Sequence, residues 1–159
     1  MKRLSKLFIT MLFASVLLFT VTACGKGEEK VEGKLTDLMD KVNSEVAEEF
    51  KQNLFTMEIN EENIVQFLGS ADIEFEEAVA SENMIGSIAH SVILLRAKEN
   101  ADIEALKTQI KGSINPRKWI CVGVEPEDVI IENKGNLIIV IVIEDENIRN
   151  SISKEFKSL

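Results

Sequence analysis

Leu137-Ile138-Ile139-Val140-Ile141-Val142-Ile143 is the most hydrophobic stretch of the chain outside its N-terminal leader. A strand with one face in water alternates apolar and polar residues, because successive side chains point to opposite sides of the sheet. Here no alternation exists. A continuous apolar strand is one covered on both faces. Val92-Ile93-Leu94-Leu95, inside the extended run 88–97, reads the same way. Two central strands in a sheet clad on both sides are therefore expected, and the rest of the chain must supply the cladding.

Further extended segments flank them. Ile73-Glu74-Phe75-Glu76 alternates, Ala78-Val79-Ala80 continues it, and Ser81-Glu82-Asn83 looks like a polar break before the second strand. Residues 120–124 and 129–131 are short extended runs parted at Pro126, and Asn133-Lys134-Gly135-Asn136 is turn chemistry. Helical spacing appears elsewhere. Leu35, Leu38, Met39, Val42, Val46 and Phe50 fall on one face of a helix over 34–53. Asn60, early acids and Gly69 bracket a short helix. In 102–114, Ile103, Leu106, Ile110 and Ile114 form a stripe, with acids first and lysines last, as the helix dipole favours. Asn115-Pro116 ends it. Ile148, Ile152 and Phe156 place a last helix over 145–156.

This order predicts an α+β domain with an antiparallel-rich sheet of about four strands and helices packed on it. The helices over 102–114 and 145–156 are expected on one face. The 34–53 helix, or a partner protein, is expected on the other.

The N-terminal 24 residues belong to a different kind of segment. Lys2, Arg3 and Lys6 precede an uncharged apolar run over 7–21, and small residues then lead to Cys24, which is the layout of a secretory signal. At this length the run sits at the short edge of what spans a bilayer as a helix. Val21-Thr22-Ala23-Cys24 resembles the lipobox of bacterial lipoproteins. The resemblance implies cleavage between Ala23 and Cys24, a diacylglyceryl group on the Cys24 thiol and acyl chains such as palmitate. Two chains give stable attachment at ~0.8 kcal/mol per buried methylene, where one holds only marginally. Residues 1–23 are then a removed signal peptide. Residues 24–33, Gly-rich and charged, read as the lipidated cysteine and a flexible tether, and 34–159 as one domain.

Loss of the three leader cations takes the formal charge from −9 to −12. So acidic a body is repelled by phosphate backbones, which argues against nucleic-acid binding. With Cys24 modified, Cys121 is the one cysteine left. Its setting, Trp119-Ile120-Cys121-Val122, suggests a small core residue. His90 is the one histidine, and a tetrahedral zinc site of the usual N/S kind needs more. Ser91 and His90 are neighbours on a strand and should point to opposite faces, against a Ser-His pair. The acids at 58–63 lack the Gly and Glu that a calcium loop needs at its sixth and twelfth positions. Glu125, Glu127 and Asp128, or Glu144, Asp145 and Glu146, offer paired carboxylates for a small hydrolase, but in turns and at a helix start, where acids are ordinary.

Two spots suggest contacts. Met84 and Ile85 follow the polar stretch in a connection, where exposed apolar residues bind partners. Arg117, Lys118 and Trp119 form a basic and aromatic spot on an acidic protein.

Ala80-Ser81-Glu82-Asn83-Met84-Ile85, a strand ending Leu94-Leu95-Arg96-Ala97-Lys98, Asn115-Pro116-Arg117-Lys118-Trp119 and the Asn133–Asn136 turn together resemble a family of Gram-positive bacterial lipoproteins catalogued as a domain of unknown function. The likeness runs from about Lys34 to the C-terminus. It implies an exported, lipid-attached α+β domain and brings no catalytic residues. The expectation is a non-enzymatic binding or accessory module on the outer face of the cytoplasmic membrane. It would meet an envelope protein, and needs no cofactor beyond the lipid on Cys24. The alternatives are a carboxylate hydrolase of the envelope and a homodimer that closes an uncovered sheet face.

Overall fold

A computed structural model describes residues 30–159; the expected signal peptide, the lipobox-like motif and Cys24 lie outside the described residues. The elements run α1 (Leu35–Val42), α2 (Glu48–Lys51), β1 (Leu54–Glu58), α3 (Ile64–Leu68), β2 (Glu77–Asn83), β3 (His90–Arg96), α4 (Ile103–Ser113), a 3-10 turn (Pro126–Asp128), β4 (Ile130–Lys134), β5 (Leu137–Ile143) and α5 (Glu146–Ser158). The strands form one antiparallel sheet in the order β1-β2-β3-β5-β4. The α+β expectation holds, with five strands rather than four.

β3 and β5, the two unalternating strands, lie side by side in the interior of the sheet and are buried at every position. Their side chains divide between two cores. Ile93, Leu95, Ile138, Val140 and Val142 face α3 and α4, meeting Ile64, Phe67, Leu68, Leu106 and Ile110. Val92, Leu94, Leu137, Ile139, Ile141 and Ile143 face α1 and α5, meeting Leu35, Met39, Val42, Ile152 and Phe156. Each fully buried aliphatic side chain contributes about 1.5–3 kcal/mol. The last helix and the 102–114 helix therefore cover opposite faces, not one. Each lacks the width to clad five strands alone, so α4 shares its face with α3, and α5 shares the other with α1.

Other sequence expectations are corrected by packing. The 34–53 helix breaks after Val42. Asn43 turns inward, its side-chain amide donating to Ser81 Oγ at 3.4 Å, and the chain resumes as the single turn α2. Residues 54–58, to which the sequence assigned no element, pair with β2 as an edge strand. Ser81-Glu82-Asn83 is not a break but the buried end of β2, where Ser81 Oγ accepts from Asn43, Glu82 accepts from Lys118 and Asn83 Oδ1 accepts from the Ile85 N–H. Residues 120–124 form no strand. They belong to a loop closed by the bond from Val124 N–H to the Pro116 carbonyl, 2.8 Å. Gly69 ends α3 in the left-handed region, φ 79°, and a Cβ there would stand 1.8 Å from the Ser113 carbonyl oxygen. This close approach locks α3 against the end of α4, where Ser113 Oγ donates to the Leu68 carbonyl at 2.7 Å.

The stretch read as tether is docked at its last residues. Val31 is buried, and its N–H donates to Asn136 Oδ1 at 3.3 Å. Arg96, at the end of β3, donates Nη1 to the Val31 carbonyl, Nη2 to the Gly33 carbonyl at 2.7 Å and Nε to Glu77 Oε1 at 2.7 Å. A planar guanidinium makes such a fork where an ammonium cannot. Arg96→Met is expected to cost about 2 kcal/mol by urea denaturation, the worth of hydrogen bonds to a buried charged group. Arg96→Lys should recover less than half of that.

Among the described residues no helix is long and apolar enough to cross a membrane.

Candidate functional site

Residues from three separated stretches meet at one end of β1 and β2. Antiparallel register places Phe55 opposite Glu82 and Met57 opposite Ala80, so both β1 side chains stand on the α3–α4 face. Gln66 and Phe67 of α3 form one wall, Lys118 and Trp119 of the 114–124 loop another, and Met84 extends past the end of β2. Together they enclose a groove of about 290 Å³. Its rim is apolar and open: Met84 is 62% exposed, Ile85 beside it 43% and Phe55 40%.

The floor of the groove is charged. Lys118 Nζ donates to Glu82 Oε1 at 2.7 Å and to Ser91 Oγ at 3.2 Å. It also lies 4.7 Å from the centre of the Phe67 ring and 5.2 Å from that of Trp119. Burial lowers the lysine pKa, while the Glu82 charge and hydrogen bond pull it back up. Both partners are nearly covered, so the pair is a fixed dipole in an apolar cradle. Ser91 is fully buried and serves as its second acceptor.

Of the two contact spots in the sequence, the structure brings Met84, Lys118 and Trp119 together in this groove. Ile85 borders it. Arg117 points elsewhere, paired with Glu125 on the surface. Lys118 lies beneath the groove, its side chain 14% exposed. Phe55 and Glu82 are the residues that sequence reading missed. Phe55 sat in a strand hidden by the preceding helix pattern, and Glu82 in an apparent break.

Cys121 is exposed, in the left-handed region at φ 67°, with Ile120 82% exposed beside it. The core reading of Cys121 is corrected. The loop leaves α4 in a turn and Gly123 packs on Arg117, so the apolar letters of 120–122 do not enter the sheet.

His90 is fully buried on the opposite face of the sheet from Ser91, and its ring meets Phe50 at 5.1 Å between centroids. Among the described residues no serine hydrogen-bonds to His90. Among the described residues four buried side-chain atoms have no hydrogen-bond partner: both His90 nitrogens, Asn43 Oδ1 and Asn83 Nδ2. Burial lowers the His90 pKa to about 4, which keeps the imidazole neutral at pH 7.

Three of the six carboxylates weighed for hydrolysis have structural partners. Glu125 pairs with Arg117, Asp128 with Arg149 at 3.1 Å, and Asp145 accepts the Asn147 and Ile148 N–H groups as the cap of α5. A hollow of about 550 Å³ is lined by Asn60, Glu61, Ile64 and Phe75, and its Glu74 and Lys98 bind each other at 2.9 Å. Among the described residues no three His, Cys, Asp or Glu side chains gather as a metal site.

Comparison with known proteins yields no match: no family model, no curated protein and no solved structure matches this chain.

Proposed function

We propose that this chain is a lipid-anchored accessory module of the bacterial cell envelope, held on the outer face of the cytoplasmic membrane through Cys24 and docking an envelope protein in the Phe55–Met84–Trp119 groove. The observation that carries the binding reading is the exposed apolar rim of that groove. Large apolar side chains gathered on an otherwise acidic surface mark an interaction site. The anchoring half rests on the lipobox-like Val21-Thr22-Ala23-Cys24 and on the likeness to Gram-positive lipoproteins of unknown function.

The geometry suits this arrangement. Residue 31 enters the fold beside Arg96, whereas the groove lies beside Ser91 on the same strand. Five residues of strand separate them, roughly 17 Å. A body tethered through residue 31 would therefore turn its groove away from the lipid. Both sheet faces are occupied by the chain's own helices, which removes the uncovered face that motivated a homodimer.

Metabolic labelling with a palmitate analogue tests the anchor: label is expected on the wild type and absent from Cys24→Ala. A photo-crosslinker at position 84 tests the groove in intact cells. A discrete adduct is expected there, and none from the exposed face of α4 at Lys111. An unlabelled wild type sinks the anchor, and equal adducts at both positions sink the groove.

A further inference from the structure

We propose that the open edge of β1 accepts an extended, cationic segment of a partner protein as a sixth strand of the sheet. This deepens the binding reading above and rests on it. The edge follows from the hydrogen-bond register. Met84 N–H donates to the Asn53 carbonyl at 2.8 Å, and Ile59 N–H to the Ala78 carbonyl at 2.9 Å. Bonded pairs alternate along an antiparallel ladder. Asn53, Phe55, Met57 and Ile59 therefore turn their backbone groups toward β2, while Leu54, Thr56 and Glu58 turn theirs outward. The Glu58 carbonyl is taken by Asn63 Nδ2 at 3.0 Å, which closes the edge at that end. Among the described residues no other group takes the outward backbone of Leu54 and Thr56 or the Glu58 N–H.

Natural edges are blunted by lysines, prolines, bulges or covering elements. Leu54-Phe55-Thr56-Met57-Glu58 carries no lysine or proline, and its five-residue register with β2 runs without a bulge. The other edge is managed differently. β4 carries Lys134, and its side chains are tied to the flanking helices: Asn133 to Lys107 at 3.0 Å, Glu132 to Ser153 at 2.9 Å and to Lys157 at 2.8 Å. One edge is guarded and the other is bare. A strand laid on β1 gains backbone bonds, and its alternate side chains fall beside Phe55 and Met57, over the groove.

Charge selects the occupant. Glu49, Glu58, Glu61 and Glu62 flank the edge, and none has an ion pair among the described residues. The nearby cations are spoken for, Lys51 by Glu48 and Lys118 by Glu82. A segment alternating Lys or Arg with apolar residues complements this surface. A second copy of the chain would bring the same carboxylates against them, and like charges disfavour it.

The protein's one tryptophan, Trp119, lies in the groove and there is no tyrosine, so its emission reports occupancy without background. The probe is acetyl-(Lys-Val)3-amide titrated into the full-length chain in neutral detergent, with acetyl-(Glu-Val)3-amide as control. Saturable change in Trp119 emission is expected with the cationic peptide alone. Thr56→Pro removes an outward N–H and no ladder bond, so it should weaken binding about tenfold or more, the worth of one backbone bond with its steric penalty. Thr56→Ala should bind as wild type. Should Thr56→Pro unfold, a probe N-methylated at alternate residues makes the same test from the peptide side. Equal binding by both peptides, by the proline variant or by the methylated probe overturns the proposal, as does a sedimenting dimer that Thr56→Pro dissolves. A failed probe beside a positive crosslink at position 84 removes the strand and leaves the groove. Loss of both removes the binding module itself.

Discussion

Acidification from pH 7 to pH 5 is expected to destabilise the wild-type protein by about 2 kcal/mol more than it destabilises a His90→Leu variant, rising to about 3 kcal/mol at pH 4. The cause is burial alone. In the unfolded chain His90 titrates at its ordinary value of 6.5; in the fold it is lowered to about 4. Between those values the unfolded state binds the proton and the native state does not. Mass action then draws the equilibrium toward unfolding. The contribution is fully present above pH 6.5 and is lost as pH falls through about 4, the opposite of a histidine held by a carboxylate. Leucine replaces the ring with an apolar side chain that takes no proton, so the variant keeps only the carboxylate part of the acid response. Urea midpoints across this window, with unchanged slope, give the difference directly. The histidine proton resonance, single in this chain, should titrate near 4 in the folded protein. A value near 6.5, or parallel stability curves for the two proteins, would overturn the reading.

Removing the ammonium from the groove floor should be the most damaging single change. Lys118→Met is expected to cost about 3 kcal/mol, because it leaves the Glu82 carboxylate buried with its partner gone. The side chains of the pair are 14% and 10% exposed, so little water reaches the orphaned charge. Lys118→Met with Glu82→Gln should be markedly more stable than Lys118→Met alone, since the uncompensated charge leaves with the second change. That non-additivity is the signature of a coupled pair. Equal losses in the single and double variants would mean that the ammonium contributes through packing on Phe67 and Trp119 and not through Glu82.

The fold was legible where burial is total. Leu137–Ile143 and Val92-Ile93-Leu94-Leu95 carry no polar letter, and only one environment suits that. Illegible parts were those in which a polar residue is buried with a partner far away in sequence. Ser81 and Glu82 look like a turn until Asn43 and Lys118 are brought to them. β1 was hidden for a related reason: Val46 and Phe50 continue the helical spacing of α1, and only the inward turn of Asn43 stops the helix short. The groove was half visible. Met84 and Trp119 were conspicuous as apolar letters in polar company, whereas Phe55 lay in an unrecognised strand. Cys121 misled because apolar neighbours in sequence do not make a core when the loop that holds them is closed on itself.

The Arg96 fork has a mechanical side. A load applied through the first described residues passes by way of two carbonyl groups and one guanidinium into β3, the middle strand of five. Pulled from there, the molecule must drag its best-supported strand past neighbours on both flanks. A tug at either margin would instead peel strands one at a time, so a pull through residue 31 should meet the greater resistance.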